Sequence, residues 1–109
     1  MPKLLLQGIP ASSGIAEGKA NIFFSGNDAG TFNEGEILIT TITDPTMVQA
    51  MIKAAAIVTD MGGITSHPAI LSREMGIPCI VNTQRGTTLI KSGAKLKVDG
   101  SKGEVYVLD

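Results

Sequence analysis

The chain has one histidine, His67, in the stretch GGITSHPAILSREMGIPCIV that begins at Gly62. Two glycines and two hydroxyl side chains precede the imidazole and a proline follows it. An imidazole is a competent nucleophile near neutral pH, because a reference pKa of about 6.5 leaves one ring nitrogen mostly free. A phosphorylated imidazole gives its group up readily, so such a nucleophile suits a carrier. Pro68 would damage a helix interior but is tolerated in the first turn, which predicts a helix starting at or just before His67. A helix N-terminus offers unpaired N–H groups and partial positive charge to a phosphate. Gly62 and Gly63 let backbone approach a ligand, while Thr65 and Ser66 either cap the helix or donate hydroxyl hydrogen bonds. A lone histidine near a turn also reads as structural or merely exposed, and these residues alone leave both readings open.

Other chemistries fit less well. Cys79 and the acids have no metal-ligand spacing with His67, so no metal site is expected. GITSH is not the G-x-S-x-G elbow of a serine hydrolase. No G-x-x-x-x-G-K-[ST] loop occurs, so any nucleotide chemistry must come from elsewhere. Nine basic and ten acidic residues among 109 give no electrostatic footprint for nucleic acid or an acidic membrane. There is no tryptophan to stack on bases. The apolar run in MPKLLLQGIP is too short for a signal segment or a membrane span, and a lone Cys79 fits a reducing compartment. We therefore expect a cytoplasmic chain whose residues 1–109 form one domain.

The elements around the histidine follow from periodicity. Leu4 to Leu6 and Ala20 to Phe24 read as strands, joined by the Gly- and Ser-rich GIPASSGIAEG, read as a long loop. EILITTIT, from Glu36, is β-branched and reads as a strand. Asp44 and Pro45 read as the N-cap and first position of a helix whose buried stripe is Met47, Val48, Met51, Ile52 and Ala55. AIVTD is a short strand ending at Asp60; the helix of Ala69, Ile70, Leu71 and Met75 follows and stops at GIP; CIV is the next strand. Strand, Gly-rich turn, helix and strand make a βαβ unit. AKLKVDGSKGEVYVLD makes a C-terminal β-hairpin around DGSKG. His67 falls at the carboxyl end of a strand, where ligands gather in α/β folds.

TDMGGITSHPAILSREMGIPCIV closely resembles the phosphohistidine signature of the PEP-utilising enzyme mobile domain, the family of PEP synthase, pyruvate phosphate dikinase, enzyme I of the sugar phosphotransferase system and rifampicin phosphotransferase. The likeness extends to GIPASSGIAEGKA, GEILITTITDPTM and LKVDGSKGEVYV, from about Gly8 to Leu108. It implies an α/β fold, a swivelling β/β/α domain with a βαβ unit and a C-terminal hairpin, in which His67 becomes phosphorylated. It further implies that partner domains do the loading and delivery: an ATP-binding domain, and a barrel that binds PEP or pyruvate. Mg, ATP and PEP would then sit on those partners, with no cofactor on this domain. Thr65 matches the family's hydroxyl beside the phosphate, Arg73 and Glu74 match its RE, and Gly62 and Gly63 match its Gly-Gly. Three positions depart from the pattern: Pro68 replaces Ala, Ser or Thr; Ser13 replaces a proline; and Asn82 stands where glycine is frequent. The rival reading is a non-catalytic regulatory or binding module that keeps the fold.

Arg73, about two turns beyond Gly63, reads either as a phosphate ligand or as a structural or exposed side chain. Cys79 reads as a buried thiol, Met61 as a contact for a partner domain, and Asp60 as orienting the loop or the imidazole. A carrier must leave one site to reach another, so its docking faces are expected to be modest and polar.

Overall fold

A computed structural model of the chain describes residues 3–23, 32–43 and 47–108. In chain order the elements are β1 (Lys3–Gln7), β2 (Ile9–Ser12), β3 (Ile15–Phe23), β4 (Ile37–Thr40), α1 (Val48–Lys53), β5 (Ala56–Thr59), α2 (His67–Met75), β6 (Cys79–Val81), α3 (Gly86–Leu89), β7 (Lys95–Asp99) and β8 (Glu104–Val107).

Every residue of β4, β5 and β6 is buried. These strands pair in parallel, Ile37 opposite Ala56 and Ile57 opposite Cys79, and unbroken apolar runs are what a parallel sheet needs when both its faces are covered. On one face Leu38, Ile57, Cys79 and Val81 pack against Met47, Ala50, Met51 and Ala69 of the helical layer. On the other, Ile37, Ile39, Ala56, Val58 and Ile80 meet Leu6, Leu96, Val98 and Val105 from β1, β7 and β8. The result is the expected β/β/α stack, with β5–α2–β6 as the anticipated βαβ unit and β7–β8 as the hairpin. Strand β3 belongs to both sheet layers: residues 15–19 pair antiparallel with β7, and residues 20–23 pair in parallel with β4.

Two expectations are corrected. GIPASSGIAEG is not a loop; it forms β2, a tight turn at Ser13 and Gly14, and the first part of β3. Its hydrogen-bonding partners are β6 and β7, 60 or more residues away, so local composition carries no trace of them. Pro10 is tolerated because β2 is the outermost strand and has an unpaired side. The buried stripe of α1 is also rotated: Met47, Ala50, Met51 and Ala54 face the core, while Ile52 is 64% exposed. Small alanines let α1 lie close to β4 and β5, and burying Ile52 instead would turn Ala50 and Ala54 outward. Asp44, Pro45 and Phe24 lie outside the described residues.

The helix carrying His67 ends as its sequence suggested. Gly76 adopts a left-handed φ of 72°, its N–H donates to the Arg73 carbonyl at 3.3 Å, and the Ile77 N–H donates to the Ser72 carbonyl at 3.1 Å. This double bond set absorbs the last carbonyls of α2 and fixes its exit into β6.

The hairpin tip locks onto the β2–β3 turn through Gly100, whose N–H donates to the Gly14 carbonyl at 2.7 Å. A Cβ at Gly100 would run into the Ser12 carbonyl and the Pro78 ring. Gly100→Ala is therefore expected to cost about 1–3 kcal/mol, seen as a lower urea midpoint with an unchanged denaturant slope. Among the described residues no helix is long and apolar enough to cross a membrane.

Candidate phosphohistidine site

The carboxyl ends of β4 and β5 lie side by side, and the loop to α2 leaves from there. Its first part stays attached to the β4 end: the Asp60 and Met61 N–H groups donate to the Thr40 and Thr41 carbonyls, each at 3.0 Å. The Thr59 hydroxyl donates to the Met61 carbonyl at 2.6 Å, which bends the chain out of the strand. Gly62 then takes a φ of 117°, a conformation that strains any side chain. Gly63 differs, because a Cβ there would meet nothing within 4 Å and so stand in open space. Its glycine has no packing reason within the described residues.

The chain turns into α2 at Ser66, the N-cap, and His67 is the first helical residue, as the position of Pro68 predicted. The Ser66 hydroxyl does not cap the helix. It donates to the Gly63 carbonyl at 2.6 Å, and the Ser66 N–H donates to the same carbonyl at 3.0 Å. Among the described residues the first-turn N–H groups thus receive no side-chain cap, which is the condition under which a helix end accepts an anion. Thr65 is exposed beside them.

His67 is exposed, and its Nδ1 lies 3.0 Å from the hydroxyl of Thr43, a buried residue after β4. One ring nitrogen is thereby engaged and oriented, leaving Nε2 for chemistry. Sequence reasoning missed Thr43. The available signal was topological: in a parallel pair, residues just past β4 must lie beside the loop that leaves β5, and TTIT is rich in hydroxyls.

The other candidates are placed as follows. Among the described residues Arg73 forms no ion pair; its Nε–H donates to the Ala11 carbonyl and its Nη2–H to the Ile64 carbonyl, both at 2.7 Å. Asp60 does not reach the imidazole, since its carboxylate accepts the Thr87 N–H at 3.0 Å and the Thr87 hydroxyl at 2.5 Å. It pins α3 to the end of β5. Cys79 is buried, and burial pushes its thiol up to about 11, so it stays protonated and unreactive. Asn82 has a left-handed φ of 56°, which explains why glycine suits that position and why asparagine can replace it. Among the described residues no three His, Cys, Asp or Glu side chains gather as a metal site requires.

His67 also lies outside the cavities of about 450 and 190 Å³, which are lined by residues of β1, the 82–85 loop, α3, β7 and β8. The imidazole stands on open surface. On the segments that flank His67, Ile42, Met61, Ile64 and Ile70 are each between 47% and 55% exposed.

The family model described as PEP-utilising enzyme, mobile domain, matches residues 32–103, a span that holds β4 through β7 and the whole histidine loop. The chain belongs to this family. Within it, a probable phosphoenolpyruvate synthase of Staphylothermus marinus is 55% identical over 106 residues, covering 95% of this chain and 13% of that protein. The phosphoenolpyruvate synthase of Pyrococcus furiosus is 50% identical over 104 residues, with the same coverage. This mobile domain therefore spans about an eighth of the length of the curated relatives it matches. Among solved structures, that of an Enzyme I protein, nEIt, superposes with a TM-score of 0.60 at 33% identity, over 68% of this chain and 31% of that one. The β/β/α architecture is thus the family's, and the signature histidine sits where the mobile domain exposes a helix end.

Proposed function

We propose that this mobile domain is a phosphoryl carrier, with Nε2 of His67 as the acceptor atom, in an enzyme of the PEP synthase or pyruvate phosphate dikinase type. The observation that carries the reading is an exposed imidazole, oriented through Nδ1 by Thr43, at the uncapped N-terminus of α2. With the proton on Nδ1 and shared with the Thr43 oxygen, Nε2 keeps a lone pair and attacks phosphorus. The Nε2–P bond forms as the bond from phosphorus to the leaving oxygen breaks, and the electron pair departs on that oxygen, as enolpyruvate from PEP or as the remaining nucleotide from ATP. The Thr65 hydroxyl, the first-turn N–H groups and the open backbone at Gly62 and Gly63 receive the phosphoryl oxygens. The Ser66 hydroxyl shapes this cradle through the Gly63 carbonyl.

In this reading residues 1–109 are one carrier domain in a cytoplasmic enzyme. The ATP-binding domain and the PEP- or pyruvate-binding barrel lie on partner domains or subunits, which bring Mg and the nucleotide, and the chain alone completes no cycle. The test is intact mass after incubation with PEP, magnesium and the PEP-binding domain of a related synthase. One added phosphoryl group per chain, lost in acid and kept in base, supports the carrier. No adduct, either there or with a matching ATP-binding domain, leaves the non-catalytic binding module.

The apolar side chains beside His67 would meet the partner's rim and keep water off a hydrolysable phosphohistidine. Ile70→Asp is expected to raise the apparent KM for this chain about tenfold, while kcat at saturation stays near the wild-type value. Steady-state phosphorylation rates against carrier concentration measure both.

A further inference from the structure

Between Met61, tied to β4, and His67, at the start of α2, the loop has little holding it. Among the described residues, the hydrogen bonds of Gly63 to Ser66 are internal to the segment, the Ile70 N–H donates to the Ser66 carbonyl at 3.0 Å as the first turn of α2, and one side chain reaches the segment from outside it: Arg73 Nη2–H donates to the Ile64 carbonyl at 2.7 Å. The same guanidinium donates its Nε–H to the Ala11 carbonyl on β2, also at 2.7 Å. Both lengths are those of charge-assisted bonds, stronger than neutral ones. The planar fork holds the two acceptors in fixed relation, which a lysine cannot do. These bonds engage two of the five N–H donors of the guanidinium. Arg73 thus connects the edge strand, the histidine helix and the loop that carries Thr65.

We infer that Arg73 is a positioning residue for phosphoryl transfer, acting through the Ile64 carbonyl: it clamps the Gly62–Thr65 loop to β2 and so sets the place of the phosphate cradle over α2. The inference rests on the carrier reading for its functional half, while the clamp itself is independent of it. Positioning effects of this kind are large because a displacement of about 1 Å costs on the order of a hundredfold in rate.

The test compares the chain with Arg73→Met, which keeps the apolar stem, and Arg73→Lys, which keeps the charge. Amide hydrogen exchange in residues 62–66 is read beside PEP-dependent phosphorylation by the PEP-binding domain of a related synthase. In Arg73→Met, exchange in the loop is expected to rise tenfold or more with β4 and β5 unchanged, and kcat to fall about tenfold to a hundredfold with KM for the carrier within about twofold. Arg73→Lys should recover part of each, because it can serve one carbonyl at a time. Unchanged loop exchange in Arg73→Met overturns the clamp, and a loosened loop with wild-type kcat overturns its role in transfer. Lost transfer with an unchanged loop would mean direct phosphate contact and also overturns it. If the wild type takes up no phosphate, the carrier reading falls and with it the positioning role, while the exchange arm still decides the clamp.

Discussion

His67→Ala is expected to take up no acid-labile phosphate under conditions that fully phosphorylate the wild-type chain. The loss should be complete because no neighbour can stand in. The buried Cys79 thiol, pushed up to about 11, offers neither access nor thiolate. The Ser66 hydroxyl gives its proton to the Gly63 carbonyl. Thr65 is exposed, but an unassisted hydroxyl with no adjacent base is a weak nucleophile. The substitution should leave the fold intact, since the imidazole is exposed and its one side-chain hydrogen bond among the described residues is to Thr43. A thermal midpoint within a few degrees of wild type, with no mass adduct, is the expected pair of readings. An adduct retained by His67→Ala would move the acceptor elsewhere and end the carrier reading at this residue.

The histidine site was legible because its signals are local. Pro68 can occupy only the first turn of a helix, and Gly62 marks a left-handed turn, so both could be placed before any tertiary contact was known. The parallel core was legible for a related reason: ILIT, AIVT and CIV are apolar but for a terminal threonine in the first two, as strands covered on both faces must nearly be. What escaped depends on pairs far apart in sequence. Strand β2 was hidden because Ile9–Ser12 is defined by its ladder with β6, and Pro10 and Ser12, next to Gly8, speak for a loop. The four-residue helix α3, with two threonines, has no periodicity to find; it is set by the Asp60 carboxylate at the end of another strand. Arg73 reads as a phosphate ligand or as a structural or exposed side chain; in the structure two backbone carbonyls accept from it, and no sequence pattern encodes an acceptor that every residue possesses.

Thr43 shows the same limit with a functional consequence. Thr43→Val keeps the shape of a buried side chain and removes the hydroxyl that faces Nδ1 of His67, so it isolates orientation from packing. In the proposed carrier the threonine oxygen accepts the Nδ1 proton in the reactive form, and the lone pair is then confined to Nε2. Without that acceptor the ring can turn, and its proton can move to Nε2, where it blocks attack. Phosphorylation is expected to slow about tenfold to a hundredfold, the scale on which loss of an orienting partner acts, with KM for the partner domain nearly unchanged. Thr43→Ser, which restores a hydroxyl, should recover much of the rate. Ring nitrogen chemical shifts give a readout that a change in stability would not move: the proton should sit on Nδ1 in the wild type and redistribute toward Nε2 in the valine variant. If Thr43→Val reacted at the wild-type rate with an unchanged tautomer, the 3.0 Å contact would be incidental, and the orientation of His67 would have to come from the helix end alone.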